Sequence, residues 1–183
     1  MRNSVLAGLA VFLLASQPAR ADFILTATLS GSNEVPANAS LATGTATFTF
    51  LTQSQTIAYD VLFSGLSSNA IAAHIHLGPP GVSGPIILPF SPSPSGTSGE
   101  ITGTLTAANL INQAASGIST FSGIVAAAQA GNLYANIHDV NFPAGEIRGQ
   151  LTSVPEPSSI ALVGLGLVGL LGFAARTGRR RLA

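Results

Sequence analysis

Cysteine, lysine and tryptophan are absent from all 183 residues, and only 8% of the chain is charged. Without cysteine there is no disulfide framework and no thiol nucleophile, so an exported domain of this composition rests on its apolar core and backbone ladders. A Gly-rich loop leading into a lysine-bearing helix, the usual phosphate cradle, is missing, as is the G-x-S-x-G turn of serine hydrolases. The net charge is zero, but the signs are segregated. Residues 22–153 hold Arg148 as their only basic residue apart from histidine, against Asp22, Glu34, Asp60, Glu100, Asp139 and Glu146. A body without a basic patch cannot displace phosphate counterions, which excludes nucleic acid as a partner. Low charge here does not mean disorder, because the apolar residues alternate in an ordered way.

The two ends read as targeting segments. Arg2, the apolar run from Val5 to Ala15 and the small residues Ala19 and Ala21 at the −3 and −1 positions predict a signal peptide over 1–21, cut by signal peptidase before Asp22. That run is too short to cross ~30 Å of hydrocarbon. At the other end, the apolar stretch Ile160 to Ala175 rises to about 24 Å as a helix. Extending it to Ser158 and letting Arg176, Arg179, Arg180 and Arg181 snorkel predicts a membrane-spanning helix over about 158–175, arginines on the cytoplasmic side. The motif Pro155-Glu156-Pro157, an apolar helix and an arginine cluster, in that order over 154–183, resemble the PEP-CTERM sorting signal of Gram-negative bacteria. The resemblance implies recognition by an exosortase and cleavage near the Pro-Glu-Pro motif. An inner-membrane-anchored intermediate would then give way to release or attachment at the cell surface or in the extracellular matrix of a biofilm. An anchor that is never cut is the alternative.

Between the signals, residues 22–153 suffice for one domain with a single core. Short segments alternate with period two, bounded by Gly, Pro, Asn and Ser. Phe23, Leu25, Ala27 and Leu29 share one face of the first; Ala46, Phe48 and Phe50 share that of the second. Ile57, Tyr59, Val61 and Phe63 line the third, and Ile71, Ala73, Ile75 and Leu77 the fourth, leaving His74 and His76 opposite. Pro85 to Phe90 reads as an edge strand. The pattern G-E-I-x-G-x-L-T occurs at 99–106 and again at 145–152, which predicts two strands in related environments. One helix is expected, capped by Ser119 or Thr120 and stopped by Gly131. Leu133, Ala135 and Ile137 then face away from Tyr134, Asn136 and His138. About eight short antiparallel strands with one short helix predict an all-β domain, a β-sandwich or a flattened barrel, followed by the C-terminal hydrophobic helix.

Chemistry concentrates in a few residues. His74 and His76 are two apart on one strand face, about 7 Å between Cα atoms, a spacing that suits two imidazoles on one metal ion. If the fourth strand approaches 133–138, His138 completes an open zinc or copper site. The plain alternative is histidines that end their strands and hydrogen-bond the following loops. Glu34, Tyr134, Asn136, Glu146 and Arg148 form the expected structural polar cluster. Glu146 and Arg148 are two apart, either as a surface ion pair or with Arg148 as a fork for a buried carboxylate, Glu34 among the candidates, or for backbone carbonyls.

The segments Gly31-Ser32-Asn33-Glu34-Val35-Pro36, Ala73-His74-Ile75-His76-Leu77-Gly78-Pro79, Tyr134-Ala135-Asn136-Ile137-His138 and Pro143 to Leu151, in this order, are similar to the CHRD domain, named for chordin and widespread in bacterial exported proteins. The resemblance implies an extracellular β-domain with a binding or structural role and no enzymatic activity. The expected function is therefore a non-enzymatic surface or matrix protein that meets a matrix polysaccharide or another surface protein. A mononuclear zinc- or copper-binding domain, with redox activity as an extension, is the second reading. The H-x-H in a β-domain distantly echoes copper–zinc superoxide dismutases, but three histidines are too few for a two-metal site.

Overall fold

The computed structural model describes residues 21–91 and 93–154. Ala19 with the export segment, the Pro155-Glu156-Pro157 motif and the expected hydrophobic helix over 158–175 lie outside the described residues. Among the described residues no helix is long and apolar enough to cross a membrane.

Alternation builds the sheet. β1 (Phe23–Ser30), β2 (Thr43–Leu51) and β3 (Thr56–Ser64) form an antiparallel meander in full register. Leu25, Ala27 and Leu29, then Ala46, Phe48 and Phe50, then Ile57, Tyr59, Val61 and Phe63 all bury their side chains. Threonines occupy many of the alternate positions, as β-branched residues do on the exposed side of a pleated strand. The remaining strands are β4 (Ala70–Leu77), β5 (Ile86–Pro89), β6 (Gly99–Leu105), β7 (Leu133–Asp139), β8 (Ile147–Gln150) and the two-residue β9 (Thr152–Ser153). Their order is β5-β4-β7-β8-β1-β2-β3-β6, with β9 also on β1. Every pairing is antiparallel.

The ends of this sheet approach one another. Phe90, just past β5, stacks on Tyr59 of β3 with ring centroids 4.7 Å apart. The Tyr59 hydroxyl donates to the Ser91 carbonyl at 2.8 Å, and Leu66 and Ala70 donate to the carbonyls of Thr97 and Gly96. The architecture is thus a nearly closed antiparallel barrel of eight principal strands. Helix α1 is a single turn (Gln113–Ser116), and among the described residues α2 (Phe121–Gln129) is the one α-helix that packs on the core. Thr120 caps α2 by accepting from the Gly123 N–H, and Gly131, at φ +70°, takes the left-handed conformation that ends it. Its buried face is Phe121, Ile124, Val125 and Ala128.

Two sequence expectations change. A bulge between Ala70 and Ala72 turns Ile71 out of the core, where it is 48% exposed, and Ala70 goes in. The two G-E-I-x-G-x-L-T copies occupy different environments. β6 is an edge strand paired only with β3, whereas β8 lies between β7 and β1. Ile101, Leu105, Ile147 and Leu151 all reach the core, but Glu100 is exposed and Glu146 is fully buried.

Along β4, β7 and β8 the barrel wall has a second buried face. Ala73, Ile75, Ala135, Ile137 and Ile147 point into the core. The opposite positions carry His74, His76, Tyr134, Asn136, His138 and Arg148, and all but His74 are also buried. Loops following β1, β4 and β7 cover this polar outer face.

Candidate metal centre

Pairing of β4 with β7 sets Ala72 opposite His138, His74 opposite Asn136 and His76 opposite Tyr134. The small Ala72 leaves room for the diagonal approach of His138 to His74. Ring centroids are 5.0 Å apart for His74 and His138, 5.7 Å for His74 and His76, and 5.9 Å for His76 and His138. One nitrogen from each ring lies within 4.8 Å of those of the other two.

Two rings are oriented from behind. His76 Nδ1 is 3.0 Å from the Gly84 carbonyl and His138 Nδ1 is 3.1 Å from that of Pro143. A carbonyl accepts only, so the network assigns the proton to Nδ1 in both and leaves the Nε2 lone pair free. Both Nε2 atoms are buried without a hydrogen-bond partner, as is His74 Nδ1. Burial leads in holding all three imidazoles neutral. It lowers His74 to about 4, with help from His138 and His76. Burial lowers His76 to about 4 against the Gly84 carbonyl, with His138 and Arg148 adding to it. His138 is lowered by burial against the Pro143 carbonyl. Three neutral imidazoles with unmatched lone pairs are what a transition-metal ion requires of its ligands.

Aromatic and cationic contacts fix the frame. His76 stacks on Tyr134 at 4.7 Å and 15°, and the Arg148 guanidinium carbon lies 3.4 Å from the centre of the same ring. β4 and β8 flank β7 on opposite sides, so this His76–Tyr134–Arg148 stack crosses three strands. Arg148 Nη2 donates to the Val82 carbonyl at 2.9 Å and to that of Pro79 at 3.4 Å. Tyr134 Oη accepts from the Gly84 N–H at 3.0 Å. The loop after β4 is thereby pinned against the strand face, and its Gly84 carbonyl is aimed at His76.

The five residues expected to form one polar cluster separate into two groups. Glu34 lies by Asn136, whose Nδ2 donates to Oε2 at 3.4 Å. Burial raises its carboxyl to about 7, against the lowering pull of Arg148, Asn136 and the Val35 N–H. Glu146 does not join Arg148. It precedes β8, and its carboxyl accepts from Ser40 Oγ at 2.6 Å and from the Ser67 N–H at 2.9 Å. Its other neighbour is Asp139, a residue that the sequence pattern did not single out. Asp139 accepts from Ser67 Oγ, Ser68 N and Oγ, and the Phe142 N–H, at 2.6 to 2.8 Å. Burial alone would raise Asp139, but Ser68, Glu146, Ser67 and Phe142 outweigh it and bring it to about 2. Glu146 is raised, first by burial and also by Asp139, against Ser40 and Ser67. When the pair binds one proton, these opposite shifts place it on Glu146 and not on Asp139. Its only sequence signal was a set of acids and serines far apart in the chain.

The CHRD domain family model matches residues 25–151, and the PEP-CTERM protein-sorting motif matches residues 153–181. No curated protein and no solved structure matches the chain. The sorting motif implies export, a membrane-anchored intermediate and processing by an exosortase.

Proposed function

This chain belongs to the CHRD domain family, and we propose that it is a surface or matrix protein whose domain holds one zinc or copper ion through His74, His76 and His138. The observation that carries the reading is the convergence of three imidazoles, one nitrogen of each within 4.8 Å of those of the other two, each ring holding a buried nitrogen without a hydrogen-bond partner. Metal–nitrogen bonds of about 2.0–2.1 Å bring such nitrogens somewhat closer together, a change within reach of small ring rotations. An all-nitrogen set suits zinc or copper and offers calcium or magnesium none of the oxygens they take. The carbonyls of Gly84 and Pro143 supply the outer hydrogen bonds that orient imidazole ligands.

The role is non-enzymatic, with the ion serving binding or structure. For the exported body the partner is a matrix polysaccharide or another surface protein, in keeping with six acids against a single arginine. The test is calorimetric titration of zinc and copper into the untagged full-length chain in detergent, beside the His76→Ala and His138→Ala variants. One ion per chain, with affinity reduced at least a hundredfold in either variant, is expected. Folded wild-type protein that takes up neither ion, or variants that bind as well as wild type, would sink the reading.

A further inference from the structure

Three imidazoles leave a zinc or copper ion short of a fourth donor, and the surroundings of the triad hold a second set of unmatched atoms. Glu34 Oε1 and Asn136 Oδ1 are buried with no hydrogen-bond donor. Asn136 stands opposite His74 across β4 and β7, and two residues from His138 on the same face of β7. Its Nδ2 donates to Glu34 Oε2 at 3.4 Å, while Glu34 Oε1 and its own Oδ1 receive no hydrogen from any protein group. Gly145 presses on both groups. A β-carbon there would come within 2.5 Å of Asn136 Nδ2, 2.6 Å of its Oδ1 and 2.7 Å of Glu34 Oε1. With φ at +129°, Gly145 holds a conformation that other residues rarely adopt. Arg148, the nearby cation, commits Nη2 to the Val82 and Pro79 carbonyls.

The ion lacks a lone pair, and the two acceptors lack hydrogens. A water molecule supplies both, and an ion polarises it into a stronger donor. Resting on the metal-centre reading, we infer that the fourth ligand is a water molecule held by Glu34 and Asn136, and that this position selects protic ligands over anions without hydrogens. Glu34 is a positioning residue, since it touches the water and not the ion. Above pH 7, where the Glu34 carboxyl is ionised, azide, which brings lone pairs and no hydrogen, meets two acceptors and is disfavoured. In Glu34→Gln the amide keeps the size and turns an N–H toward the incoming anion.

The experiment loads the untagged full-length chain with copper(II) and records electron–nuclear double resonance in H2O and D2O. The wild-type chain is expected to show strongly coupled, exchangeable protons on a copper ligand. Azide titration, followed by its charge-transfer absorption, is expected to give at least tenfold tighter binding to Glu34→Gln than to wild type. Copper bound with no exchangeable protons beyond the weakly coupled Nδ1–H of His76 and His138, or equal azide affinity in the two proteins, overturns the inference and leaves the three-histidine site standing. Failure of wild type to bind copper removes both.

Discussion

Asp139 and Glu146 look interchangeable as buried acids, yet their neighbours give them opposite parts. Asp139 receives hydrogen bonds from hydroxyls and N–H groups on both oxygens, so it stands as the anion. Glu146 is raised, so it is the one of the two that takes up a proton first. Glu146→Gln keeps an acceptor for Ser40 and Ser67 and offers Asp139 an N–H, so its cost should stay below about 1 kcal/mol. Asp139→Asn turns an amide N–H toward groups that are themselves donors, and should cost about 3 kcal/mol. Urea denaturation of the two variants checks the asymmetry; equal losses would mean that the proton is not placed on Glu146. At this scale the sequence was partly legible. The histidines stood out by type and spacing. Asp139 did not, because its partners Ser67 and Ser68 carry no pattern and lie 72 and 71 residues away. The pairing of Glu146 with Arg148 failed because period two applies only within a strand, and β8 begins at Ile147.

Strands and loops decide whether the histidines meet. Alternation within each segment showed which residues share a face, but β4 and β7 are neighbours across some 60 residues of chain, and nothing local fixes that order. The same limit hid the environments of the two G-E-I-x-G-x-L-T copies, one at an edge and one inside the sheet. The bulge in β4 was equally silent, since Ala70 and Ile71 both read as apolar. The loop after β4 makes its own prediction. A β-carbon on Gly84 would lie 1.6 Å from the Leu77 carbonyl oxygen and 2.8 Å from its carbon, a clash that only backbone movement relieves. Gly84→Ala should therefore shift the carbonyl that orients His76. We expect a loss of about 2–4 kcal/mol in stability and weaker metal binding, measured by thermal melts and calorimetry on the same preparation. Unchanged metal affinity would show that this carbonyl does not orient the ligand.

For the molecule as a whole, the histidine face ties folding to pH. His74 and His76 titrate near 4 in the fold against an ordinary value of 6.5, so between these values the unfolded chain binds more protons. Their contribution to stability is complete above pH 6.5 and is lost as pH falls toward 4. His138, lowered by burial, acts in the same direction. Glu34, raised from 4.5 to about 7, acts oppositely: its contribution is complete below 4.5 and lost as pH rises through 7. Glu146, also raised, acts with Glu34; the three imidazoles outweigh these two carboxyls, so melts of the metal-free chain should show a net fall from pH 6.5 to 4. Saturating metal at a hundred times its Kd adds about 2.7 kcal/mol at neutral pH, and less on acidification as protons compete. The scarcity of basic residues has a further outcome. Arg148 is the sole trypsin site between residues 22 and 153, and it is 2% exposed on an interior strand. To cut within the domain, trypsin must wait until the barrel itself opens. One cut at Arg148 thus serves as a built-in clock for opening of the barrel, read by mass spectrometry as loss of the segment that begins at Gly149.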